Sequence, residues 1–481
     1  MYLPRKYYYM FLATVALWAG FFACLLTYAS LPGFPTGLTV AGWNIEGLTY
    51  AQFQEQLEKR ISELQSFRVK LSDPGNRAAP AELTLGQLGL QTDRHSITGP
   101  LQKLRTGSLF QRARQRWKLR HAEIALRFTF NRDILEQTLR ATWKPLYDQQ
   151  PVNARRIITP GDQVQIIPEQ DAYRVDGEQL AARLLPLVTG PVWTEGSKKQ
   201  PAEIELPLLA QPPSVTAESL RAQGVERKIA EFVTSYPVNQ PGRIHNIRST
   251  AQAIDNLLLK PGEIFDYAQV IQETEAKYGY REAPVIVNGK LVPGIGGGIC
   301  QVSSTLYNAV LRAGLEIVER RNHSLPVSYV PLGQDATFAS GHINFKFRNN
   351  TGSHLLIRTQ TEGQQIAVKL FGNAPGNVTY EIESKVVKTL PAPVKYVKNP
   401  ALPAGTKRIL LRGKPGYEVE TYRYTKKDGV VVAKTRISYD TYSPQPTLIA
   451  VHSGKGAPPE ENVPPSPPIV EDGVKGPVFP Q

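Results

Sequence analysis

Cys300 closes a glycine run, Gly294-Ile295-Gly296-Gly297-Gly298-Ile299-Cys300-Gln301-Val302-Ser303-Ser304-Thr305-Leu306-Tyr307-Asn308, and that setting invites chemistry. Gly294, Gly296, Gly297 and Gly298 permit positive φ and close backbone approach, so the chain can turn sharply into a helix. The helix is predicted to begin near Ile299 and stop at about Gly314, burying one face through Val302, Leu306, Ala309 and Ala313. Cys300 then occupies the first turn, where unpaired N–H groups and the helix dipole favour its thiolate. The same N–H groups would hold a developing oxyanion.

His323 follows the helix, and Asp335 follows His323 across a strand expected over Pro326–Val330. In this arrangement Cys300 attacks an amide or ester, His323 takes and returns the proton, and Asp335 orients the imidazole. Gln301 or a helix N–H steadies the oxyanion. Gly296, Gly297, Gly298, Ser303 and Glu282 are expected to line the substrate pocket. Two other readings of the same residues stay open. One is a ligand-binding pocket without turnover; the other is a purely architectural turn around a small buried cysteine. Cys300, His323, His342 and Asp335 lack the dense spacing of a metal site, and no metal or cofactor is expected.

The elements that position these residues begin with an apolar run from Tyr7 to Leu31, preceded by Arg5 and Lys6. Roughly 25 residues suffice to cross a ~30 Å hydrocarbon core as a helix. Tyr7, Tyr8, Tyr9 and Tyr28 stand where interfacial aromatics belong, and the basic flank faces the cytoplasm. Everything after Pro32 is then expected outside the cytoplasm, on a single-pass membrane anchor. A cleaved signal peptide is the rival reading, but its apolar region is usually shorter and Ala-x-Ala cleavage chemistry is not obvious. Cys24 lies within the run, which leaves Cys300 without an intramolecular disulfide partner.

The formal net charge is +14. Nucleic acid, the usual partner of such a chain, is excluded by the outside location; anionic lipid headgroups, peptidoglycan and acidic wall polymers remain. The densest basic stretch is Arg112, Arg114, Arg116, Lys118 and Arg120, which also fits a solvated helix face.

The length and patterning predict an α+β multidomain chain: the anchor over 7–31, an α+β unit over 36–110, a second over 120–209, a central α+β domain over 243–375, a β-rich module over 380–453, and a proline-rich disordered tail over 455–481. Tyr50 to about Leu64 carries Phe53, Leu57, Ile61 and Leu64 at helical spacing. Asn131 is placed to cap a helix from Arg132, another helix is expected over Glu178–Val188, and a further one around Leu220–Phe232. Asp428-Gly429 between two β-rich runs signals a hairpin.

Three resemblances add to this reading. Pro261-Gly262-Glu263-Ile264-Phe265, Gly279-Tyr280-Arg281-Glu282-Ala283-Pro284, the glycine–cysteine run, His323-Ser324 and Gly333-Gln334-Asp335-Ala336-Thr337 closely resemble the VanW family, first associated with vancomycin-resistance clusters. That resemblance establishes no biochemical activity. Pro151-Val152-Asn153-Ala154, Ile167-Pro168-Glu169 and Val175-Asp176 resemble the peptidoglycan-binding domain found beside VanW domains, and the stretch after Gly376 resembles a G5-like wall-protein module. The order Cys, His, Asp and the ending Leu311-Arg312-Ala313-Gly314-Leu315 are similar to transglutaminase-like thiol enzymes and their peptidase relatives. Together these imply a membrane-anchored cell-envelope protein that engages peptidoglycan or its precursors, with thiol-based acyl transfer or noncatalytic wall binding as the alternatives.

Overall fold

The structure is a computed structural model and describes residues 5–190, 192–193, 200–287, 289–452 and 469–476. The N-terminal helix, Arg5–Ser30, is long and apolar enough over Lys6–Ser30 to cross a membrane, and none of its apolar window is buried in the protein. The chain divides into two compact units, residues 1–153 with 169–214, and residues 154–168 with 215–481.

The first unit has one core. Helix Tyr50–Gln65 starts on a capping box, Thr49 accepting from the Gln52 N–H while Gln52 reaches back to Thr49, and it buries Phe53, Leu57, Ile61 and Leu64. Helix Arg132–Thr142 is capped by Asn131, as its sequence predicts, and Gly177–Thr189 buries Leu180, Leu184 and Val188. These faces join Val69, Leu71, Leu85 and Leu88 in a single buried cluster that runs from Phe34 to Leu206. The two α+β stretches expected as separate units therefore share one interior. The reason lies in long-range pairing: strand Ala202–Glu205 runs parallel to Arg68–Ser72, so one sheet is built from both stretches.

In the second unit, an antiparallel sheet takes the order Arg227–Ser235, Gln365–Gly372, Leu355–Glu362, Leu257–Leu259. The helix expected around Leu220–Phe232 is instead a short helix, Ala217–Ala222, followed by strand Arg227–Ser235. Its pairing with Gln365–Gly372 over nearly its whole length overrides local helical propensity. Helix Ile299–Arg312 is buried on every side from Ile299 to Leu311, not on one face. No strand forms over Pro326–Val330, which is irregular and opens on a proline that lacks a ladder donor.

The β-rich stretch holds two three-stranded sheets. Strands Val378–Leu390, Gly416–Lys427 and Val430–Tyr442 form one; Val394–Lys398, Thr447–Val451 and Lys407–Leu411 form the other. The Asp428-Gly429 hairpin is present, with φ of 51° and 80° at its two central residues. Most of the tail expected to be disordered lies outside the described residues, but 469–476 is ordered. Val470–Glu471 adds a strand to Glu282–Val287, which itself pairs with Lys290–Ile295.

Candidate functional site

The glycine run turns into the cysteine helix as its sequence predicts. Gly296 and Gly298 have φ of 96° and 108°, a region that favours glycine. At Gly297 a Cβ would lie 2.3 Å from the Pro284 carbonyl oxygen. Cys300 sits in the first turn. The first-turn donors, however, are not free: Asp472 Oδ1 accepts the N–H groups of Gly298 at 3.1 Å and Cys300 at 2.8 Å. Its other oxygen lies 3.1 Å from the Arg243 guanidinium. A carboxylate from the ordered tail thus fills the position assigned to an oxyanion, held by the dipole and an arginine.

Gln301 is likewise committed. Its carbonyl accepts from Arg243 at 3.0 Å, and its amide donates to Thr234 Oγ1 at 3.1 Å and the Ser235 carbonyl at 2.9 Å. It ties the helix to the sheet and does not project into a cleft. Ser303 is also interior, its hydroxyl donating to the Ala336 carbonyl at 2.6 Å. Glu282 lies at a surface cleft of about 290 Å³ with Gln240, Arg243, Pro284 and Pro293.

Cys300 is fully buried. Its Sγ accepts the Phe338 N–H at 3.0 Å and donates toward the Phe338 carbonyl at 3.5 Å. Burial, joined by the charge of Asp472, pushes the thiol well above its ordinary value, against a smaller opposing effect of the Phe338 hydrogen bond. The helix dipole favours a thiolate here, but desolvation of the charged form acts in the opposite direction and is the larger effect.

His323 and Asp335 do meet. Asp335 Oδ2 accepts from His323 Nδ1 at 2.6 Å and from the His323 backbone N–H at 2.7 Å. Asp335 Oδ1 accepts the Tyr442 hydroxyl at 2.5 Å and lies 3.2 Å from Arg320, which also pairs with Asp440 at 2.5 Å. Burial pushes the Asp335 carboxyl up, but the His323 bond and charge and the Arg320 charge outweigh it and bring it down to about 2. Burial disfavours the His323 imidazolium, yet the Asp335 hydrogen bond and charge raise its pKa overall. His323 Nε2 is buried and has no hydrogen-bond partner among the described residues. No hydrogen bond joins it to Cys300. The two are linked instead through one backbone stretch: Asp335 holds His323, while Ala336 and Phe338 hold Ser303 and Cys300. No group of His, Cys, Asp and Glu suited to a metal ion occurs among the described residues.

Arg243, Arg320, Tyr442 and Asp472 are thus partners that the motif reading missed. Asp472 had a signal. Val470-Glu471-Asp472-Gly473-Val474-Lys475 breaks the proline-rich composition around it and reads as a charged β segment. Tyr442 and Asp440 lie beyond a change of module and carry no local signal.

Comparison with known proteins matches residues 242–371 to a "VanW like protein" model, 381–452 to a "G5 domain", and 83–190 to a "Putative peptidoglycan binding domain". The chain is 36% identical over 225 residues to the "Uncharacterized protein YoaR" of Bacillus subtilis (strain 168), covering 47% of this chain and 70% of that protein. It is 29% identical over 150 residues to the "Vancomycin B-type resistance protein VanW" of Enterococcus faecalis (strain ATCC 700802 / V583), covering 30% of this chain and 54%, about half, of that one. A solved IgA1 protease G5 domain matches at 25% identity with a TM-score of 0.14, over 16% of this chain and 89% of that one. With its glycine–cysteine helix, its wall-protein modules and this extent of identity to YoaR, the chain belongs to the VanW family of cell-envelope proteins.

Proposed function

We propose that this is a single-pass, membrane-anchored protein whose bulk lies outside the cytoplasm and engages peptidoglycan or acidic wall polymers, its VanW domain binding a ligand without turning it over. One observation carries the binding reading: the helix-terminal N–H groups that a thiol enzyme would offer its oxyanion are bonded to Asp472, beside a fully buried Cys300. The apolar Lys6–Ser30 helix supports the anchor. The domain match over residues 83–190 supports the wall as partner.

The basic stretch supports a second contact, with the membrane surface. Helix Leu109–Lys118 is held against the end of the N-terminal helix by Arg116, which donates to the Leu31 carbonyl at 2.8 Å. Phe110 and Trp117 on it are 63% and 66% exposed, a pairing of aromatic and arginine suited to a headgroup layer.

The test is sedimentation of the chain from Gly33 onward with purified peptidoglycan. Retention at 0.5 M salt, where exposed charges are largely screened, is the expected result. Binding that disappears at that salt reduces the wall contact to charge attraction alone. One observation favours the alternative thiol enzyme: the His323–Asp335 pair with its unpartnered Nε2. That reading requires Cys300→Ser to abolish an activity on wall peptides while leaving sedimentation intact.

A further inference from the structure

The segment 469–476 does more than cap a helix. Its route follows backbone pairing. Val470 and Glu471 pair antiparallel with Val287 and Ile286, and the Val474 N–H donates to the Ile295 carbonyl at 2.9 Å while the Ile295 N–H donates to the Lys475 carbonyl at 2.9 Å. Gly473 bridges Ala339 on the opposite side. This is strand addition to an exposed hairpin edge, a mode in which the backbone supplies affinity and side chains supply selectivity.

The glycine run is shaped for that passenger. A Cβ on Gly294 would lie 2.8 Å from the Lys475 carbonyl oxygen, and one on Gly296 would lie 3.0 Å from the Val474 nitrogen. Two of the glycines that define the motif thus make room for the passing strand, Gly294 also for Val285 and Gly296 also for the turn. Gly473 answers in kind, since a Cβ there would lie 2.5 Å from Val285 Cγ1.

The selective contacts are carboxylates. Asp472 takes the Gly298 and Cys300 N–H groups and Arg243. Glu471 accepts from the Ser324 N–H at 2.9 Å and the Ser324 hydroxyl at 3.0 Å. Beside Ser324, the His323 Nε2 is buried without a hydrogen-bond partner among the described residues. The Tyr329 hydroxyl is in the same condition, within electrostatic reach of Asp472 and Cys300. Arg243, which holds Asp472, also lines the surface cleft of about 290 Å³.

We propose that residues 470–475 are a displaceable occupant of a peptide groove, and that the groove's ligand in trans is an extended peptide whose carboxylate replaces Asp472 on the Gly298 and Cys300 N–H groups, with a glycine or similarly small residue next to it. This rests on the binding reading of the VanW domain and names its ligand class and its regulation. Held in cis, the tail competes at a high effective concentration, so the groove opens only when the tail is released.

The experiment uses the full chain with a specific protease site placed within residues 455–465, cut after folding and dialysed, and separately the full chain carrying Asp472→Asn. A fluorescein-labelled peptide of residues 468–476 is titrated by anisotropy against both and against the uncut parent. Binding at least tenfold tighter to the cut and Asp472→Asn chains than to the parent is expected, and an Asp-to-Asn change in the peptide should weaken it at least tenfold. Retention of the cut tail after dialysis with no exchange, or equal peptide binding by all three chains, overturns the proposal. Competition by a muropeptide with a free carboxylate distinguishes sources. If the tail peptide binds and the muropeptide does not compete, the groove stands and the wall-peptide reading of the VanW domain falls.

Discussion

Asp335 gathers the His323 imidazole and backbone N–H, the Tyr442 hydroxyl and Arg320 around one buried carboxylate. Replacing it with alanine strands buried donors and leaves Arg320 with Asp440 as its remaining carboxylate, so a loss of about 3–5 kcal/mol is expected in urea unfolding. Its pH dependence has a definite sign. A carboxyl lowered to about 2 stabilises the fold fully above its unfolded value of about 4 and loses that contribution as pH falls toward 2. The stability gap between parent and Asp335→Asn should therefore be widest above about pH 5 and narrow on acidification. His323 acts in the other direction: with its pKa raised, its contribution is complete below about 6.5 and fades as pH climbs through the folded value. Cys300 behaves as an interior thiol. In a Cys24→Ser background, iodoacetamide should label it slowly in the native protein and quickly after unfolding, with His323→Ala changing little. Rapid native labelling with an apparent pKa below ~8.5 returns the thiol-enzyme reading.

Local chemistry makes several elements legible in the sequence itself. The glycine run and Gly314 bracket the cysteine helix; Thr49 and Asn131 mark their helices because an N-cap is a short-range device; Asp428-Gly429 marks a hairpin because few dipeptides accept two positive φ values. What stayed hidden depends on distant partners. Residues 227–235 become a strand only because Gln365–Gly372 lies beside them. Ala202–Glu205 merges two expected units by pairing with a strand far upstream. The site was legible in its residues but not in its state, since the His323–Asp335 contact follows the motif whereas Asp472, which decides what the helix terminus does, comes from a stretch that composition assigns to disorder. An element-scale test uses the turn. Gly298→Ala places a Cβ 2.9 Å from Arg243 Cγ at a φ of 108°, and strain of about 1–3 kcal/mol is expected, read as a lowered melting temperature.

On the scale of the whole chain, the proposed anchor makes a topological prediction. Protease added to intact protoplasts should digest the protein after Pro32, and protection of the C-terminal modules overturns the outside placement. Replacing Phe110 and Trp117 with alanine should weaken binding of the chain from Gly33 onward to anionic vesicles more than to neutral ones, if arginine and aromatic contacts act together at the headgroups. One contact also bears on biogenesis. The carboxylate that satisfies the Cys300 N–H belongs to a residue 172 positions later. A chain exported N-terminus first exposes the glycine turn long before that partner emerges, and such sequence-distant closure is slow. Until then two backbone donors remain open at the head of a largely buried helix, and Arg243 lacks the Asp472 carboxylate. On the proposed outside placement, the nascent protein passes through an interval in which the proposed peptide groove still awaits the tail, a window for capture by a chaperone or by wall peptide.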